Sequence, residues 1–132
     1  MNKNDIETRE DIFLLVTAFY VKVRRDHVIG HFFNDSIKDW DAHLQTLTLF
    51  WESNLFLQIK YLGNPIEIHN QVDHKNNKTI TELHFGVWLN LWFKTIDELF
   101  MGDVSEKAKL RARKMSTFLY LNIFQSRNKK TD

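Results

Sequence analysis

A chain of 132 residues with one Pro and four Gly has length for one domain around a single core. Its lack of cysteine excludes disulfides, zinc–thiolate centres, thiol nucleophiles and any thiolate-held metal. Eighteen basic residues against 17 acidic ones leave a formal charge of +1, too even for a nucleic-acid or anionic-membrane footprint, and with no 18-residue apolar run or basic leader the expectation is a soluble, cytoplasmic protein.

Hydrophobic residues make up 43% of the chain and aromatics 14%, so aromatic side chains carry much of the buried surface. The apolar spacing is helical throughout. Thr8-Arg9-Glu10-Asp11 reads as a capping box that opens a first helix running to about Asp26. Ile12, Val16, Phe19 and Val23 recur along it at three- and four-residue intervals. His27 to Ser36, around Gly30, reads as a turn region that holds Phe32 and Phe33. A second helix is expected from about Asp39 to Leu57, with Leu44, Leu47, Trp51 and Leu55 on one face.

Asn64 and Pro65 suit the N-cap and first position of a short helix that reaches about Asn70, followed by a polar loop from Gln71 to Lys78. Thr79 or Thr81 caps a long aromatic helix ending near Met101-Gly102, with Gly102 as its C′ residue. Ser105 opens the last helix, which turns Ala108, Ala112, Met115 and Leu119 inward, and the polar tail from about residue 126 frays. No internal repeat interrupts this pattern. The expected class is all-α, with four long helices and one short one in a single domain over 1–132.

Four polar side chains stand out against this apolar background. His69 follows the Asn-Pro start by one helical turn, where it is either a surface residue or a metal ligand through Nε2. As a ligand it would donate Nδ1–H to a backbone carbonyl, that of Pro65 being in reach. Tyr20, His43 and Trp88 lie on the apolar stripes of three other helices. Each alone reads as a core residue with a satisfied hydrogen bond, but a buried polar group left unsatisfied costs about 1–3 kcal/mol. Three directed inward together suggest a polar ligand or a shared network. His27 and His31 stand four apart without a carboxylate to complete a metal site, and the basic run Lys107, Lys109, Arg111, Arg113 and Lys114 scatters around its helix as a solvated face.

Six segments carry a resemblance to a known family. They are F-Y-V-K-V-R-R-D (from Phe19), H-F-F-N-D (from His31), H-L-Q-T-L-T-L-F-W (from His43), Y-L-G-N-P-I-E-I-H (from Tyr61), I-T-E-L-H-F-G-V-W-L-N-L-W (from Ile80) and D-E-L-F-M-G (from Asp97). In this order, from about Glu10 to Phe124, the chain resembles the group III truncated haemoglobins, bacterial two-over-two globins. The resemblance implies a truncated two-over-two helical sandwich around a haem b pocket. His69 would be the proximal ligand of the haem iron. Tyr20, His43 and Trp88 would form the distal pocket, with Phe33, Leu47 and Trp51 against the haem. Implied ligands are oxygen, nitric oxide and CO, with no nucleic-acid or membrane partner, in a monomer or weak homodimer. Two other readings stand beside oxygen binding: a haem enzyme for nitric oxide detoxification or peroxidase-like oxidation, dependent on an external reductase, and a haem-free helical interaction module.

Overall fold

The computed structural model describes residues 3–56 and 80–128, the last five as helix backbone alone. The expected short helix after Asn64, the loop to Lys78 and His69 itself lie outside the described residues. The first helix, α1 (Arg9–Arg25), begins as its sequence predicts. Thr8 Oγ1 accepts from the Asp11 N–H at 3.1 Å, and the Asp11 carboxylate accepts from the Thr8 N–H at 3.0 Å. Ile12, Val16, Phe19 and Val23 are all buried.

The region expected as a turn contains a helix, α2 (Gly30–Ser36). Asp26 is the reason. Its carboxylate accepts from the N–H groups of Val28 and Ile29 at 2.8 and 3.1 Å, and its carbonyl accepts from Gly30 N–H at 3.0 Å. The chain therefore re-enters helix directly from the end of α1. Gly30 permits this, because a Cβ there would stand 3.0 Å from the Arg24 carbonyl oxygen. Seven residues are too few for apolar periodicity to reveal such a helix.

Helix α3 (Trp40–Leu55) is capped by Asp39, whose carboxylate accepts from Ala42 N–H at 3.1 Å, and stops two residues before the expected Leu57. Of the two threonines before the aromatic helix, Thr81 is the cap of α4 (Glu82–Leu99). Gly102 is not the C′ residue of α4, since Phe100 is its C-cap. Gly102 instead takes φ +147° and gives its carbonyl to Glu106 N–H at 3.0 Å, so it serves the start of α5 (Asp103–Asn128). That helix starts two residues before Ser105 and reaches Asn128, two residues past the point where the tail was expected to fray; the rest of the tail lies outside the described residues. A distant residue accounts for the early start. The Asp5 carboxylate accepts from the N–H groups of Val104 and Ser105, both at 2.8 Å, and from the Ser105 hydroxyl at 2.7 Å.

The described residues are helical without strands, and the helices form two packed pairs. Helix α1 packs on α3 and α4 on α5, while α1 against α4 and α3 against α5 join the pairs. This is the two-over-two arrangement. Its core is aromatic where the pairs meet. Phe19 meets Trp92 and Trp88 edge-on at 5.0 and 5.5 Å, and Trp51 stacks on Trp92 at 4.7 Å. Such pairs add about 0.5–1.5 kcal/mol each beyond the area they bury. The Trp92 indole N–H is satisfied by the Ala108 carbonyl at 3.2 Å. Ala108 and Ala112, fully buried, let α5 approach this layer closely. Among the described residues no helix is long and apolar enough to cross a membrane.

Candidate functional site

The two pairs leave between them a cavity of about 580 Å³. Its walls come from α1 (Phe19, Tyr20), α2 (Phe32, Phe33), α3 (Leu47, Trp51), α4 (Phe85, Trp88) and the inner face of α5. Volume and lining match a small-molecule or cofactor site, which is mostly apolar with a few convergent polar groups. Tyr20, His43, Trp88, Phe33, Leu47 and Trp51 all border this one space. His69 lies outside the described residues.

The polar groups are arranged in relation to one another. Tyr20 is buried and meets Phe33 and His43 near edge-on, with ring centres 5.7 and 5.5 Å away. Trp88 can only donate, and its indole N–H is directed to the Tyr20 oxygen. That leaves the Tyr20 proton to be donated elsewhere. Burial pushes the phenol well above its ordinary range, against the smaller opposing pull of the Trp88 hydrogen bond. Tyr20 is therefore an O–H donor at every working pH. Ser36, at the end of α2, also borders the cavity, and its buried hydroxyl oxygen has no hydrogen-bond partner among the described residues.

Two contributors escaped the sequence reading. Trp40, three residues before His43, packs edge-on to it at 5.6 Å. His84 borders the cavity at the start of α4, where its Nδ1 accepts from Thr81 N–H at 2.8 Å. The capping-box pattern could have found His84, had histidine been allowed in place of Glu or Gln at the third helical position. Phe32 separates it from His31, with ring centres 4.8 and 4.1 Å from the two imidazoles. Burial, and then the nearby His31 charge, lowers the His84 pKa from 6.5.

The fold thus favours neutral His84, and the sign of its pH effect follows. Its contribution is fully present above pH 6.5 and is lost as the pH falls through the lower folded value. His84→Gln, which can still act as a helix cap, is expected to flatten the loss of stability between pH 7.5 and 5.5. Urea midpoints of the two chains at both pH values check this, and parallel losses would contradict it. The other motifs carry no site: among the described residues no group of three metal-ligating side chains occurs. The basic run is dispersed, with Lys109 on Asp97 and Glu106, Arg111 on Asn54 and Arg113 over Phe93.

A helical sandwich of two pairs, enclosing an apolar cavity with inward Tyr, His and Trp, is the architecture of a truncated globin. No protein-family model matches the chain. It is 25% identical over 120 residues to the group 3 truncated hemoglobin of Campylobacter jejuni, an alignment covering 85% of this chain and 91% of that one. A crystal structure of group III truncated hemoglobin from Campylobacter jejuni superposes with a TM-score of 0.81 at 24% identity, covering 92% of this chain and 94% of the other. The chain therefore has the truncated globin fold and is similar in sequence to that group 3 truncated hemoglobin.

Proposed function

We propose that the cavity holds haem b and that the protein binds oxygen and other diatomic ligands on its distal side. One observation carries this reading: Tyr20, fixed as a hydroxyl donor by burial and by Trp88, borders an apolar cavity together with His43. Haem, when bound, would supply an iron centre with an open coordination position for a small ligand. His69 would hold the iron from the proximal side. Phe33, Leu47 and Trp51 would pack against the macrocycle and exclude water. The buried, unpartnered Ser36 hydroxyl fits a polar occupant better than an empty apolar space.

The chain's own donors determine how a ligand is kept. A diatomic ligand that gains negative charge would accept a hydrogen bond from the Tyr20 hydroxyl in a water-poor space, where a preplaced donor costs no reorganisation. Trp88 supports this either by holding the Tyr20 oxygen or by donating to the ligand itself. A hydrogen bond to a charged group contributes about 1.5–3 kcal/mol, so release of oxygen would be slow. Retention of that kind suits consumption of oxygen better than its delivery. Nitric oxide dioxygenation with an external reductant is accordingly the second reading. A peroxidase reading has less support, because Arg24 lies over Trp40 rather than on the cavity wall.

Oxidised, reduced and CO-bound absorbance spectra of the reconstituted protein test the first statement. A haem absorbance that fails to develop would overturn it. Tyr20→Phe and Trp88→Phe are each expected to speed oxygen dissociation about tenfold or more, the loss of one such hydrogen bond. Stopped-flow displacement of oxygen by CO measures both, and unchanged rates in both variants would contradict the donor assignment. Turnover of nitric oxide by the oxygenated protein separates binding from catalysis. For its assembly we expect a monomer or weak homodimer in the cytoplasm.

A further inference from the structure

Tyr20, His43 and Trp40 form a closed triangle of rings. Their centres lie 5.5 Å (Tyr20–His43), 5.7 Å (Tyr20–Trp40) and 5.6 Å (Trp40–His43) apart, and the two contacts of His43 are both edge-on at 87°. Only Tyr20 and His43 border the cavity; Trp40 stands behind them at the first turn of α3. Its other side is covered by the Arg24 guanidinium, 4.3 Å from the ring centre. Arg24 is held in turn: its Nε donates to Asn34 Oδ1 at 3.2 Å, and Asn34 Nδ2 donates back to the Arg24 carbonyl at 3.1 Å. The cation lies over the indole face and the imidazole meets the indole edge-on, and this cluster is tied to α1, α2 and α3 at once.

His43 occupies the cavity side of this cluster. Lys38, Asp39, Ala42 and Thr46 are exposed and also border the cavity, so among the described residues it opens along the α2–α3 turn and the first turns of α3. His43 stands between that opening and Tyr20. We infer that Trp40, clamped by Arg24, is a positioning residue that holds the His43 ring across the cavity mouth and so limits how fast a small ligand enters. Swinging His43 outward requires breaking two edge-on ring contacts at once, each of ordinary aromatic strength. Arg24 contributes through the indole, since a guanidinium over a Trp face is attracted by its quadrupole. The Arg24–Asn34 pair keeps that cation from leaving.

This inference rests on reading the cavity as a ligand pocket, and two measurements keep the failures distinguishable. In the haem-free chain, Trp40→Leu is expected to shift the His43 ring-proton NMR signals, because a neighbouring indole ring current is lost. Trp40→Phe should restore part of that shift, and Arg24→Gln, at an exposed site, should give a smaller change of the same sign. In the haem-loaded protein, Trp40→Leu is expected to raise the CO association rate roughly fivefold or more, the size of an ordinary coupling between contacting side chains. The same substitution made on His43→Ala should leave the rate unchanged. Unmoved His43 signals, or an equal acceleration with and without His43, would overturn the inference. Should Trp40→Leu fail to fold, Arg24→Gln alone carries the same pair of outcomes. A chain that takes no haem refutes the pocket reading and leaves the NMR arm to decide the clamp.

Discussion

His69→Ala is expected to lose stable haem binding, whereas His43→Ala and His84→Ala keep it with the spectrum of a histidine-ligated iron. The cavity offers two histidines among its described walls, His43 and His84, and both are already committed. His43 is packed edge-on between Tyr20 and Trp40, on the side of the hydroxyl donor. His84 turns its Nδ1 to the Thr81 N–H and packs its ring on Phe32. Neither can turn to an iron without undoing a helix cap or a ring cluster. The resemblance to group III truncated haemoglobins assigns the iron to His69 instead, and on that proposal its loss should weaken haem retention by at least a hundredfold, beyond the roughly 10–100-fold that an outer partner of a metal ligand contributes. Haem transfer to an acceptor protein, followed by absorbance, measures it. Free imidazole should restore binding to His69→Ala by occupying the vacated position. Retention of the parent spectrum in His69→Ala, with loss in His43→Ala or His84→Ala, would reverse the assignment.

The four long helices were legible because each has an apolar stripe several turns long, and three of them a local cap as well. Thr8 with Asp11, and Asp39 before Trp40, are local signals, and the helices begin beside them. Gly102 and Asp5 mark the limit of that method. Asp5 caps α5 from about a hundred residues away, and no window along the chain contains both partners. Helix α2 escaped because seven residues span two turns and a glycine opens them. At the site, inward placement of Tyr20, His43 and Trp88 followed from spacing, since each lies three or four residues from a core residue. The Trp88-to-Tyr20 contact did not, because helical period fixes the face of a side chain but not its partner on another helix. Trp40 was one turn from His43 on the same face and was legible in principle. Arg24 over its ring depends on how α1 ends and required the fold.

The same substitution at two glycines should have opposite signs. Gly102 has φ +147°, where side chains other than glycine are strained, and an added Cβ would lie 2.5 Å from the Asp5 carboxylate. That carboxylate cannot simply turn away, because it accepts four hydrogen bonds, from Ile6, Val104 and Ser105. Displacing it uncaps α5 and loosens the N-terminal segment, which is also joined here by the Met101 N–H to the Asn4 carbonyl at 3.0 Å. Backbone strain of order 1–3 kcal/mol and a lost cap of typically 1 kcal/mol give about 3 kcal/mol of destabilisation for Gly102→Ala. Gly86, in the interior of α4, has nothing within 4 Å of an added Cβ. Gly86→Ala should therefore stabilise by up to about 1 kcal/mol through helix propensity and a less flexible unfolded chain. Urea unfolding at constant m reads both. Asp5 adds a control with its own sign. Burial raises its pKa, but the hydrogen bonds from Ser105, Val104 and Ile6 outweigh it and leave the carboxyl below 3.8. Its contribution is present above pH 3.8 and is lost as the pH falls through the folded value, so Asp5→Asn should reduce stability at neutral pH and remove part of the acid sensitivity. If Gly102→Ala proves neutral while Gly86→Ala stabilises, the Asp5 cap is not what holds the start of α5, and its N–H groups find their acceptors elsewhere.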